Sequence, residues 1–301
     1  MMEWQTEINE FLDYLQIERH SSINTVMAYR NDLRQFAAYL TKTLPASATW
    51  SDLQRQSIED YSREISAGSY TPATIARKVA ALKTLLTWLQ QNSRAQDGLA
   101  GALKSPRVEK RVPRVLSEAQ VQSLFEATAR MPAPRSLRDR ALLELIYSTG
   151  MRVTEAIGLF LPALDLDGAS ASTEGRGLRQ RSAPLTPQAV SALRNYVDNG
   201  RRDMLGSTQS DYVFLNPMGT KLTRQAVWQL TRHYARVAGI TGDITPHTLR
   251  HSRASHMLSN GTEIRRVQEW LGHANLATTQ MYQGREPARI LPAGSAPDNQ
   301  S

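Results

Sequence analysis

The 301-residue chain carries a formal net charge of +8, 41% hydrophobic residues and no cysteine. This excludes a disulfide framework, a thiolate zinc site and a cysteine nucleophile, and the length suits roughly two domains. No run of about 18 apolar residues suggests a membrane span; Met1–Ile8 lacks the basic and apolar regions of a signal peptide; and an isoelectric point near 9.9 favours a nucleic-acid partner for a cytosolic protein.

In chain order, Ile8, Phe11, Leu12 and Leu15 mark the inner face of a first helix. Ser22 or Asn24 can cap a second, with Val26, Tyr29, Leu33, Phe36 and Leu40 inward. A short third helix is expected near Ser57–Ile65. Thr71 followed by Pro72 gives an N-cap and a proline at the first helical position. That opens a fourth helix with Ile75, Val79, Leu82, Leu85, Leu86 and Leu89 inward. These elements define an N-terminal domain over residues 1–92, and residues 93–114 are expected to link it onward. Within that linker, Lys104–Arg114 holds two prolines and five cations without an apolar period. It reads either as a solvated hinge or as a strap across a phosphate backbone.

A second domain is expected over residues 115–284. Ser117 and Gln120 form a capping box, stapled by Leu116 and Val121, that opens a helix to about Arg130. A helix over Ser136–Ser148 turns Leu142, Leu143, Ile146 and Tyr147 inward and is closed by Gly150. Asp165–Leu185 contains Gly168, Gly175 and Gly177 and no long helical period, so it reads as a strand hairpin or small sheet. Helices follow from Pro187 to Gly200, Thr223 to Gly239, Pro246 to about Asn260, Thr262 to Leu271, and Ala277 onward. Residues 285–301 are rich in proline, glycine and serine and read as a flexible tail. The expected fold class is mainly α, with a four-helix first domain and an α+β second domain built around a small antiparallel sheet.

Candidate chemistry concentrates late in the chain. His247 and Arg250 lie three residues apart on one helix and share a face. Free N–H groups in the first turns favour an anion there, and a guanidinium can grip a phosphate bidentately. Alone, such a pair is usually a surface feature. His251 points about 100° away and reads as structural. Arg152 reads as a second, buried arginine; Glu155 either orients it or forms an ordinary surface pair with it. His273 follows a helix-ending Gly272, and Tyr282 comes nine residues later. A lone helical tyrosine is usually core or interface. A phenol with pKa near 10 becomes a useful nucleophile only where cations stabilise its phenolate. Arg152, Arg250 and a histidine are suitable partners. The chain has no His-Glu-x-x-His motif, no phosphate-binding Gly-Lys-Ser/Thr loop and no Gly-x-Ser-x-Gly elbow, so no metal or cofactor is expected.

Taken in order, Arg152, His247, Arg250, His273 and Tyr282 resemble the signature of the tyrosine site-specific recombinases, the phage integrase family. Phe11-Leu12-x-x-Leu15-x-x-Glu18-Arg19, with Ser22, Thr25, Tyr29, Asp32, Leu33 and Phe36, resembles the family's SAM-like core-binding domain. Arg138–Leu143, Tyr147–Glu155, His247–His251, Ser255–Leu258 and Val267–Tyr282 resemble its catalytic domain. The resemblance runs to about Tyr282 and is nearest the bacterial Xer recombinases, XerC more than XerD. It implies that Tyr282 attacks a DNA phosphate to form a 3′-phosphotyrosyl link. Arg152 and Arg250 would neutralise the phosphate oxygens, His273 would hydrogen-bond them, and His247 would serve general acid/base work. It also implies double-stranded DNA as partner, a tetramer on two duplexes, a second Xer-type recombinase as a candidate partner, and no cofactor. Chromosome-dimer resolution, a mobile-element integrase or resolvase, and a DNA-binding relative with weakened catalysis remain as alternatives.

Two departures from the family pattern stand out. Arg176 occupies the place of the lysine that normally protonates the leaving 5′-oxygen, and a guanidinium gives up a proton far less readily. The strand before it, Asp167–Thr173, is low in β-branched residues and is expected to form poorly. After Tyr282, Gln283–Ser301 shows little apolar periodicity where Xer proteins carry a helix that docks on a neighbour.

Overall fold

Six helices begin at a hydroxyl: Ser22, Thr71, Ser117, Thr186, Thr223 and Thr245 each accept the backbone N–H three residues on. Such caps satisfy donors that a helix start leaves without a partner. The computed structural model describes residues 3–106, 114–174 and 180–272. The chain divides into two units, Met1–Arg111 and Val112–Ser301.

The first unit contains α1 (Glu3–Ile17), α2 (Ile23–Thr43), α3 (Arg55–Ala67) and α4 (Pro72–Gln91). Their inner faces follow the apolar spacing of the sequence, and Ile8, Phe11, Leu12, Phe36, Leu40, Val79 and Leu85 are fully buried. Packing continues past residue 92, because Leu99, Ala102 and Leu103 join the same core through a 3-10 turn over Leu99–Ala102. A buried ion pair joins α2 to α4, with Lys78 Nζ 3.2 Å from Asp32 Oδ1. Gln35 accepts a further hydrogen bond from the same ammonium.

The second unit contains α5 (Glu118–Ala127), α6 (Arg135–Thr149) and α7 (Val153–Ile157). An antiparallel sheet follows, made of β1 (Leu164–Asp165), β2 (Ser170–Glu174) and β3 (Gln180–Pro184) in that order. The chain goes on through α8 (Pro187–Asn199), α9 (Arg201–Leu205), α10 (Arg224–Val237), α11 (Pro246–Ser259) and α12 (Ile264–Leu271). Helix α6 is the spine. Ala141, Leu142, Leu143 and Leu145 are fully buried, and so are polar residues along its length. Asp139 accepts from Arg138 at 2.7 Å and from the Tyr234 hydroxyl at 2.7 Å, which ties α10 to α6.

Strand β2 forms despite its poor propensity, contrary to the sequence expectation. Ala171 pairs with Leu164 on one side and Ala183 on the other, and both alanines are buried. Packing of small side chains against the core therefore overrides the shortage of β-branched residues. Two short helices, α7 and α9, are additions to the sequence reading.

Candidate active site

The site begins where α6 ends. Gly150 adopts a left-handed conformation, φ 61°, and donates its N–H to Ile146 O at 3.0 Å. The chain then reverses, and Arg152 becomes the N-cap residue of α7. Glu155 serves both ends of that residue. One carboxylate oxygen accepts the Arg152 backbone N–H at 2.7 Å and the other accepts its guanidinium at 2.8 Å. Glu155 is thus a capping and orienting residue, beyond an ordinary surface pair. Arg152 itself is not buried as the sequence suggested. Its side chain is 41% exposed, because a five-residue helix presents its cap residue to solvent.

Helix α11 supplies the second part. Thr245 caps it and Pro246 fills its first position. The Thr248 N–H, expected to be open to an anion, is taken by Thr245 Oγ1 at 3.3 Å. Anion binding therefore falls to side chains. Arg250 is 4% exposed, and its guanidinium donates to Gly150 O and, at 2.5 Å, to Leu271 O. Gly150 ends α6 and Leu271 ends α12, so the cation sits where two helices present their C-terminal carbonyls. His247 is one turn earlier, with part of its surface in solvent and part covered. Its ring lies 6.5 Å from Trp228, edge-on, and 6.4 Å from His251. Partial burial, then the positive charges of Arg250 and Arg152, hold its pKa below the ordinary histidine value. At neutral pH it is a neutral imidazole beside two guanidinium groups, suited to accept a proton next to a bound anion.

Arg152, His247 and Arg250 are therefore brought together, whereas Arg176, His273 and Tyr282 lie outside the described residues. So do the expected helix from Ala277 and the tail over 285–301. Gly272, with φ 62°, closes α12 immediately before His273.

His256, within the Ser255–Leu258 motif of the family resemblance, supports the site from behind. His256 on α11 is buried with both ring nitrogens engaged. Nδ1 pairs with the Tyr147 hydroxyl at 2.8 Å and Nε2 with Leu116 O at 2.8 Å. Ser252, one turn earlier, accepts the Leu116 N–H at 2.8 Å. The helix carrying His247 and Arg250 is thus fixed to α6 and to the segment entering α5. Burial is the largest influence on His256 and lowers its pKa; Arg253 acts the same way, and the Leu116 carbonyl and Glu118 oppose. Below about pH 6.5 the unfolded chain takes up a proton that the folded imidazole resists. Stability is therefore present above that pH and falls as pH drops toward the lower folded value, and His247 adds in the same direction. His256→Gln is expected to cost about 1–3 kcal/mol at pH 7.5 and to flatten the decline between pH 7.5 and 5.5. Thermal melts across that range check it; parallel curves for the two proteins would contradict it.

Comparison with known proteins agrees with this geometry. Residues 114–289 match the model of the phage integrase family, and residues 8–92 match the phage integrase N-terminal SAM-like domain. The tyrosine recombinase XerC of Herpetosiphon aurantiacus is 37% identical over 92% of this chain and 90% of its own length. The tyrosine recombinase XerD of Vibrio cholerae is 36% identical over 91% of this chain and 90% of its own. Among solved structures, the XerH site-specific recombinase bound to difH substrate shares the fold with a TM-score of 0.70 at 22% identity, covering 93% of this chain and 81% of that one. Two domain matches spanning most of the sequence, and relatives alike over nine-tenths of their length, place the chain in the phage integrase family: it is a tyrosine site-specific recombinase.

Proposed function

We propose that the chain cleaves and rejoins duplex DNA at a recombination site with Tyr282 as nucleophile. The convergence of Arg152, His247 and Arg250 carries this reading. The Tyr282 hydroxyl loses its proton to His247 and its oxygen adds to phosphorus. The bond to the 5′-oxygen breaks and that oxygen takes a proton from Arg176, in the leaving-group position, leaving a 3′-phosphotyrosyl link and a 5′-hydroxyl. Attack by the partner strand's 5′-hydroxyl reverses the step, and the covalent link conserves the bond energy, so no ATP is needed. Arg152 and Arg250 neutralise charge developing on the non-bridging oxygens, and His273 donates a hydrogen bond to the same group. Residues 1–92 serve as the DNA-clamping domain, 93–114 as the basic strap and 115–284 as the catalytic domain. Likeness to the XerC and XerD recombinases supports Xer-type recombination; the role we assign is resolution of chromosome dimers by a cytoplasmic tetramer, with a second Xer-type recombinase as candidate partner. Among the described residues no helix is long and apolar enough to cross a membrane.

A nicked suicide substrate tests the chemistry. Wild type should give an SDS-resistant protein–DNA adduct and Tyr282→Phe none. DNA binding without adduct from either protein would instead support a relative that binds without cutting. Arg176 is expected to slow protonation of the 5′-oxygen, so Arg176→Lys should speed adduct formation by about tenfold or more. An unchanged or slower rate in single-turnover assays would remove Arg176 from the leaving-group role.

A further inference from the structure

Trp228 is exposed, at 37%, whereas Trp4 and Trp50 are buried and Trp88 and Trp270 are partly covered. A lone partly exposed indole is ordinary by itself; the neighbour of Trp228 is what singles it out. Its frame is rigid. Thr223 caps α10, Val227 and Tyr234 are buried on the same helix, and the Tyr234 hydroxyl is bonded to Asp139 of the α6 spine. The indole therefore has little freedom at its Cα. It meets the His247 imidazole edge-on, with ring centroids 6.5 Å apart and planes at 73°. Edge-to-face contact is a preferred aromatic geometry and fixes ring orientation.

Among the described residues, charged or titratable groups also face His247. Arg152 approaches from the start of α7, and Arg250 and His251 belong to its own helix. Trp228 adds an uncharged wall from a third element, α10.

We infer that Trp228 is a positioning residue for His247, holding the imidazole plane and screening it from water, and that its exposed part receives the deoxyribose next to the bound phosphate. The inference rests on the proposed role of His247 at the phosphate. Covalent geometry supports its second half, since a sugar adjoins every backbone phosphate. An imidazole that touches the phosphate brings its neighbouring indole within reach of the apolar sugar face. Screening by the indole has a defined consequence. Desolvation disfavours the imidazolium, so removal of the wall lets the imidazole hold its proton at higher pH.

The test uses the full-length protein with Trp228→Phe and Trp228→Leu. Adduct formation on a nicked duplex should fall about 10- to 100-fold in Trp228→Leu, because misorientation of a catalytic group is costly. Trp228→Phe should recover most of the rate, since it keeps an aromatic edge. The acid limb of the pH–rate profile should move to higher pH in Trp228→Leu. Histidine NMR titration of the DNA-free proteins, with the His247 signal identified by His247→Gln, should show the same upward movement. A rate loss with an unmoved acid limb and unmoved titration would overturn the positioning role. Equal protection of the wild-type indole from N-bromosuccinimide with and without bound duplex would overturn the sugar contact. The titration needs no cleavage. If wild type formed no adduct, the catalytic reading would fail while the Trp228–His247 coupling would still be measured.

Discussion

Replacing Arg250 by lysine is expected to slow adduct formation by about 100- to 1000-fold, the usual loss when a transition-state charge loses a preorganised donor. Charge alone does not define this position. The guanidinium spans Gly150 O and Leu271 O, one at the end of α6 and one at the end of α12. Those carbonyls set its plane before any phosphate arrives. An ammonium is compact and cannot hold both carbonyls in one fork. Arg250→Lys would therefore keep the charge but lose its orientation, and would unpair a buried carbonyl at a cost of about 1–3 kcal/mol. Leu271 is two residues before His273, so loosening the end of α12 also disturbs the approach to the remaining candidate residues. Affinity for duplex should change much less than rate, because many phosphate contacts share the binding energy. Single-turnover adduct assays beside salt-controlled binding curves check both halves. A rate within threefold of wild type would remove Arg250 from the chemistry.

The hydroxyl caps, the closing glycines Gly150 and Gly272, and the buried faces of the long helices were legible because each is a local rule. Ser22 and Thr25, or Ser117 and Gln120, are close enough in sequence for their chemistry to be seen together. The recombinase motifs brought Arg152, His247 and Arg250 into one hypothesis, and the unit built on α6 brings them into one place. What the sequence withheld is contact at long separation. His256 binds Leu116 from 140 positions away, and Arg250 reaches Gly150 across 100. Nothing in the spacing of either residue announces a backbone carbonyl as its partner. The exposure of Arg152 was misread because α7, only five residues long, has too few residues to show a period. Trp228 carries no sequence signal of its own, because an aromatic in an amphipathic helix ordinarily belongs to the core. Strand β2 went the other way, since its alanines look like weak strand formers until their neighbours are known.

Gly150→Ala should be strongly disruptive to the second unit. The left-handed backbone at φ 61° already costs a residue with a Cβ about 1–3 kcal/mol. The added Cβ would also lie 2.5 Å from Trp270 Cη2 and 2.7 Å from its Cζ3, inside any normal contact. Trp270 must then move. It packs with Ala254, Val267 and Leu271, which join α11 to α12, so its movement displaces the helix end that holds Arg250. The carbonyl of Gly150 is itself the other partner of Arg250. One methyl group thus strains the end of α6, pushes on α12 and disturbs both acceptors of a guanidinium. The expected outcome is a loss of about 2–5 kcal/mol in unfolding free energy, with adduct formation reduced about 100-fold or more at temperatures where the protein remains folded. A double-mutant cycle separates the two causes. Trp270→Leu should recover the steric part of the Gly150→Ala defect, whereas the backbone strain should persist. Chemical denaturation of the four proteins gives the coupling energy. Strict additivity would mean that Trp270 yields without cost, and the packing argument for glycine at this position would fail even though the dihedral argument stood.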